Sequence, residues 1–337
     1  MSYIPLQLEQ ARVATNTRQL FEALEDLRAQ AQSVAGSMHW KQINGQEYLY
    51  RAYSHGKNRS LGPRSPKTEA VKAAFEENKQ RYKTREQSLK EQISLHAAYV
   101  RANRLNRFPL TAARVIRSLQ REGIPFRIVG TNALCVYEAR AGVLIEPEHL
   151  ATADIDVLMD VRQGMRIVAQ SKPSGLLSLL QRSDRSFRRL SDASFSFCAA
   201  NDAGYRVDFI TQGGGDELQL NEFERQLEAE DLTPVTIASL KWLVASPRFT
   251  AVVFDEKGMP LRIPTVDPRA YVLHKLYVSQ RADRDPVKRH RDAAQAQLMA
   301  TILHRELREL PSTRAVIRAF PHVVRKAAGN ELDEFDL

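Results

Sequence analysis

Residues 152–159, Thr-Ala-Asp-Ile-Asp-Val-Leu-Met, constrain the fold more than any other stretch of the chain. Apolar Ile155, Val157 and Met159 alternate with Asp156 and Asp160, which is the pattern of a strand with one face buried. The same period of two sends Asp154 and Asp156 to one shared face. A second strand signal, Arg206-Val207-Asp208-Phe209-Ile210, places a single carboxylate between two apolar residues that face the other way. If the two strands are neighbours, three carboxylates meet on one sheet edge. Like charges that close are costly unless a cation lies between them. Hard oxygen donors of this kind suit Mg²⁺ or Mn²⁺. For the Asp-x-Asp pair alone, plain surface carboxylates at a strand end remain the competing reading.

The segment before these strands supplies a turn. Phe126 to Val129 reads as a short buried strand, Gly130-Thr131-Asn132 as a turn, and Ala133 onward as a helix. A glycine between a strand and a helix N-terminus lets backbone approach a phosphate, and the Thr131 hydroxyl adds a donor. Thr111 to Glu122 reads as a helix, and Gly142 to Ala153 as a loop. Phe195 with Phe197, then Val207 with Phe209, read as strands around Asn201-Asp202-Ala203-Gly204. Beyond them the pattern is helical over Val235 to Ala245, Pro268 to Arg281, Pro286 to Leu310 and Ser312 to Ala328. One hairpin signal, around Asp255 to Gly258, interrupts them. Asn330 to Leu337 reads as an acidic, frayed tail.

The N-terminal third is different in composition. Net charge is +9, and residues 1–107 hold 18 Lys and Arg against 10 Asp and Glu, which is +8 of it. Two helices are expected there, Ile4 to Gln32 and Lys67 to Arg104, packed as an antiparallel coiled-coil-like pair. Between them Trp40, Tyr48, Tyr50 and Tyr53 surround Asn44-Gly45, a favoured hairpin turn. Gly56 to Pro66 reads as a basic loop. The aromatics lie in sequence beside Lys41, Arg51, Lys57, Arg59 and Arg64, a composition that suits base stacking and phosphate contacts. The alternatives, a small hairpin core and a solvated basic helix face, stay open.

At 43% hydrophobic residues the chain can bury a sizeable core, which excludes wholesale disorder. It shows no long uncharged apolar run, no export signal, no zinc spacing, no Walker motif and no Rossmann fingerprint. The two cysteines, Cys135 and Cys198, read as small buried thiols in a reducing cytoplasm rather than a disulfide.

The ordered set of strand, Gly130-Thr131, helix, then Asp154-x-Asp156, then Asp208 resembles the nucleotidyltransferase superfamily related to DNA polymerase beta. Val129-Gly130-Thr131-Asn132-Ala133-Leu134, Asp154-Ile155-Asp156-Val157-Leu158, Val207-Asp208 and Ser60 to Glu69 look more closely like a bacterial family of predicted nucleotidyltransferases. That resemblance implies an α+β fold, a mixed sheet flanked by helices. The composition shift sets off an N-terminal helical module with a small hairpin over 1–107, and the resemblance implies a catalytic core over 108–234, followed by a C-terminal helical region over 235–337. It implies that Asp154 and Asp156 bind two metal ions, and that Asp208 holds the metal that activates the acceptor hydroxyl. Gly130, Thr131 and Asn132 would grip an NTP. The chain departs from the superfamily in having Thr131 where serine is usual, and a longer gap between Gly130 and Asp154, whose insert, Gly142 to Leu150, is expected to form a lid or a flap.

Lys275 on one helix and Arg291-Asp292 on the next are similar to a pattern in abortive-infection nucleotidyltransferase toxins. There the resemblance puts Lys275 on nucleotide phosphate and Asp292 in support. Otherwise Lys275 is a solvated lysine, and Asp292 a helix partner of Lys288. The expected activity is transfer of NMP from an NTP to an acceptor hydroxyl, with RNA, tRNA first, as acceptor and a cognate antitoxin or regulatory protein as a further partner. The competing class is a nucleic-acid-binding or regulatory protein on a degenerate fold. Transfer to a protein or small-molecule hydroxyl is also open.

Overall fold

The computed structural model describes residues 2–53, 56, 58–159, 175–190, 197–212, 232, 235–237, 239–310, 316 and 318–332. They divide into two compact units. One holds residues 12–105 with 258–260, and the other holds 1–11, 106–257 and 261–337. This differs from the three expected segments at both ends. The first residues group with the larger unit because β1 (Tyr3–Pro5) pairs antiparallel with a strand near residue 144. The C-terminal helices group with it because they cover one face of its sheet.

In the smaller unit, α1 (Leu8–Ala31) ends before the first of three antiparallel strands, β2 (Ser37–Ile43), β3 (Gln46–Ala52) and β4 (Asn58–Pro63). Asn44 and Gly45 take φ of 51° and 80°, as a two-residue hairpin turn requires. β4 occupies residues read as loop from their Gly, Pro and Ser content. Pairing with β3 supplies the order that local propensity does not. α2 (Pro66–Ala102) starts on a capping box from Ser65 and Thr68. Leu24 of α1 packs with Leu89 and Ile93 of α2, and Arg28 pairs with Glu86 at 3.0 Å, so the helices run antiparallel as expected.

In the larger unit, α3 (Leu110–Arg121), β5 (Phe126–Val129), α4 (Ala133–Ala141), β6 (Val143–Ile145), α5 (Pro147–Leu150) and β7 (Asp154–Met159) follow in order. Next come α6 (Leu176–Ser183), β8 (Arg188–Arg189), β9 (Cys198–Ala200), β10 (Arg206–Gln212) and β11 (Val235–Ile237). The end is α7 (Leu240–Ala245), β12 (Arg248–Phe254), β13 (Pro260–Val266), α8 (Pro268–Ser279), α9 (Pro286–Glu306) and α10 (His322–Leu332). Among the described residues, eight strands form one mixed sheet in the order β12-β13-β5-β7-β10-β9-β8, with β11 also paired to β10.

Three expectations change here. Residues 142–150 are no lid: Val143–Ile145 pair with β1, and α5 follows. Residues 235–237, read as helix, add a parallel strand to β10. Ile4 and Pro5, read as the start of a helix, lie in the strand Tyr3–Pro5. Phe195, residues 311–315 and the tail after 332 lie outside the described residues.

Strand parity then sorts the core. Ile155, Val157, Val207 and Phe209 join one buried cluster with Ile116 and Leu119 of α3 and Leu179 and Leu180 of α6. Leu158 and Ile210, on the opposite parity, join a second cluster with Leu240, Tyr271, Leu276, Met299 and Phe320. Asp154, Asp156 and Asp208 share the parity of that second cluster. The carboxylates therefore face the C-terminal helices.

Candidate active site

β7 and β10 run parallel, and Asp156 lies directly beside Asp208, with Arg206 beside Asp154. On its other side Asp156 neighbours Val129, the last residue of β5. Gly130 follows at once with φ 67°. A Cβ there would stand 2.2 Å from Asp156 Oδ2, so the turn needs glycine both for its backbone and for the carboxylate beside it. Gly130, Thr131, Asp154, Asp156 and Asp208 line a pocket of about 430 Å³, and Lys275 closes it from α8.

Electrostatics in the pocket are strained by design of the sheet. Burial and the charges of Asp154 and Asp208 push the Asp156 carboxyl up to about 7. Asp208 Oδ1 is buried with no hydrogen-bond partner; Arg206 Nη2 stands 3.7 Å away. Asp154 Oδ1 accepts from the Thr152 hydroxyl. Among the described residues, no three His, Cys, Asp or Glu side chains stand gathered for one ion. The donor set nonetheless fits a hard divalent cation. Three carboxylates on adjacent strands share one face, one oxygen lacks a partner, and the central acid is disfavoured as an anion.

Lys275 is buried, and its Nζ donates to Asp292 Oδ1 at 2.6 Å. Burial lowers its pKa, while Asp292 works against that shift. Asp292 is fully buried and also accepts from Arg284 Nε at 3.0 Å. So Asp292 braces two cations and does not itself line the pocket, and its partner is Lys275 rather than Lys288. His274, also in the wall, is held neutral by burial, with its pKa lowered to about 3, and its Nε2 lies 3.2 Å from Ser239 Oγ. Asn132 does not line the pocket either. It is buried and donates from Nδ2 to the Asp154 carbonyl at 2.6 Å, which ties the turn to β7.

Arg281, Arg284, Lys288 and Arg291, basic residues near Lys275 in the sequence, stand in the pocket wall, whereas Ser239 and Tyr271 escaped the sequence reading. Arg291 Nε is buried without a hydrogen bond. A signal for part of this set existed. Lys288, Arg291, Asp292 and Gln295 recur at the three- and four-residue spacing of one helix face.

The expected nucleic-acid residues of the smaller unit are split by strand alternation. Lys41 shares a face of the small sheet with His39, Tyr48 and Tyr50, and its Nζ lies 5.6 Å from the Tyr50 ring centroid. Arg51 and Trp40 take the opposite parity, toward buried Met38, Leu49 and Phe75. Arg51 Nη2 donates to the Ser33 carbonyl, and its guanidinium lies over Tyr53 and Phe75. Arg64 pairs with Glu47 and Glu69 and lies over Trp40. Arg59 is exposed opposite Arg51, and Lys57 lies outside the described residues. The four described residues do not form one continuous basic face.

A nucleotidyltransferase family model matches residues 111–320, more than half of the chain. The chain belongs to the nucleotidyltransferase family. The match spans the turn, all three carboxylates and Lys275, which line the pocket. No curated protein matches it. Among solved structures, an antigenic nucleotidyltransferase-like protein from Paracoccidioides brasiliensis is 15% identical, over 67% of this chain and 92% of that one, with a TM-score of 0.34. A likeness that low carries no inference about this nucleotidyltransferase. No helix among its described residues is long and apolar enough to cross a membrane.

Proposed function

We propose that this nucleotidyltransferase moves an NMP from an NTP to an acceptor hydroxyl with Mg²⁺ or Mn²⁺, and that the acceptor is RNA. The observation that carries the reading is the register of Asp156 beside Asp208, one residue from the Gly130 turn, in a pocket walled by Lys275, Arg281, Arg284, Lys288 and Arg291. Carboxylates of β7 and β10 and cations of α8, α9 and the segment between them line the same pocket. A triphosphate with a divalent cation complements both.

Asp154, Asp156 and Asp208 would hold the metal, which when bound steadies the attacking and leaving oxygens of an in-line displacement. Gly130 and Thr131 receive phosphate oxygens at the turn. Asp208, with its unpartnered oxygen, accepts the proton of the acceptor hydroxyl. The acceptor oxygen bonds to the α-phosphorus as the bond to the bridging oxygen breaks. Lys275, Arg284 and Arg291 offset the charge on the departing pyrophosphate. Asp292 keeps Lys275 and Arg284 aimed.

RNA as acceptor rests on the charge of residues 1–107, and Lys41 with Tyr48 and Tyr50 is the face left to meet it. The test incubates the full chain with each labelled NTP, Mg²⁺ and total RNA, with Asp156→Asn as control. Metal-dependent label in RNA, lost in the variant, is the expected result. Label in protein or small molecules overturns the acceptor, and no label anywhere overturns the activity.

A further inference from the structure

Gln295 is a fully buried polar side chain whose three hydrogen bonds converge behind the Gly130 turn. Its Nε2 lies 2.9 Å from the His149 carbonyl oxygen and 3.3 Å from Thr131 Oγ1. Its Oε1 lies 3.4 Å from the Tyr271 hydroxyl. The orientation of the amide is chemically forced. A carbonyl oxygen can only accept, so the atom facing His149 must be the NH₂ group. That group therefore donates to Thr131 as well. A hydroxyl that accepts there has its own proton left to give, and among the described residues no acceptor takes it. Thr131 lines the pocket.

We infer that Gln295 is a positioning residue: by donating to Thr131 Oγ1 it commits the threonine hydroxyl to act as a donor toward a phosphate oxygen in the pocket. This rests on the reading of the pocket as an NTP site. The Tyr271 contact holds the amide in that sense, since the tyrosine hydroxyl donates to Oε1. The arrangement also explains why α9, a helix carrying no catalytic carboxylate, matters to the turn. It sets the polarity of one hydrogen bond without touching the nucleotide.

The test measures dissociation constants of the full chain for ATP, GTP, CTP and UTP, each with Mg²⁺, and melting temperatures alongside. Variants are Gln295→Met, Thr131→Val, the double variant, and Thr131→Ser. Each of the first two should weaken binding of the preferred NTP roughly tenfold, the scale of one hydrogen bond to a charged group. The double variant should be no weaker than either, because both remove the same interaction. Thr131→Ser should restore most of what Thr131→Val loses. Losses that add in the double variant would mean Gln295 only stabilises the fold, and would overturn the inference. So would unchanged NTP affinity in Gln295→Met, with the pocket reading intact. If Gln295→Met melts before measurement, Thr131→Val decides: wild-type NTP affinity there overturns the inference. A wild-type chain that binds none of the four nucleotides overturns the pocket reading and the inference with it.

Discussion

Arg64 on the small sheet and Arg291 on α9 both belong to basic stretches, yet their surroundings differ in kind. Arg64 is half exposed, bonds Glu47 at 2.6 Å and Glu69 at 2.7 Å, and stacks over Trp40. Its charge is answered inside its own unit. Arg291 lines a pocket, and its Nε is buried with no hydrogen bond. The same pocket is lined by an Asp156 raised toward neutrality and an Asp208 oxygen without a hydrogen bond. Positive charge in a sequence marks a candidate surface; buried polar groups left without partners mark the place where a ligand completes the structure.

The sharpest way to break the comparison is at Asp156. Asp156→Asn should cut transfer by roughly a thousandfold or more, the scale of losing several kcal/mol of charge stabilisation. Its melting temperature at neutral pH should rise, because a repelled buried carboxylate is gone. A variant that keeps activity, or that melts lower, would refute the assignment.

Next is the buried brace. Asp292→Ala leaves Lys275 buried without its partner and should cost about 3–5 kcal/mol of stability. Denaturant unfolding checks this; a loss below that range would mean Lys275 finds solvent. Gly130→Ala is smaller in stability, about 1–3 kcal/mol for a strained positive φ. It should still abolish detectable NTP binding, since the new methyl displaces Asp156.

Stability against pH separates Asp156 from His274, because their shifts have opposite signs. Folded Asp156 keeps its proton up to about 7, while the unfolded carboxyl loses it near the ordinary aspartate value. Over that window the folded state binds more protons, so this residue's contribution makes stability fall as pH rises. His274, lowered to about 3, works in the opposite direction below its ordinary value. The stability difference between Asp156→Asn and wild type, measured without metal, should therefore grow from about pH 4 to about pH 7 and flatten above. A difference that is constant across that range would contradict the raised carboxyl.

Smallest is the contrast within the small sheet. Lys41→Glu should weaken RNA binding and flatten its salt slope by roughly 0.7. Arg64→Glu should leave RNA binding unchanged, since its guanidinium is already paired. Equal effects from both would return Arg64 to the interface.

The carboxylate edge was legible because it depends on local periodicity. Asp154, Asp156 and Asp208 follow from strand parity, and Gly130 from its place between a strand and a helix. Gln295 was not, because which face of α9 meets the turn is fixed by packing across the sheet. β4 and β11 were missed for a related reason: each is ordered by a neighbour, β3 or β10, and not by its own residues. The division of Lys41 from Arg51 was within reach of the same parity argument that found the aspartates, since the residues opposite them, Tyr48 and Met38, alternate along the same strands.

β1 has a consequence for the order of events during synthesis. The Tyr3 hydroxyl bonds Glu306, a partner 303 residues away, and its strand pairs with β6. A chain emerging from the ribosome has nearly the whole smaller unit, residues 12–105, before β6 exists, and must wait for α9 before Tyr3 finds its last contact. The smaller unit should therefore acquire protease resistance early. The larger one closes late, through contacts whose loop-closure entropy is lost all at once near the end.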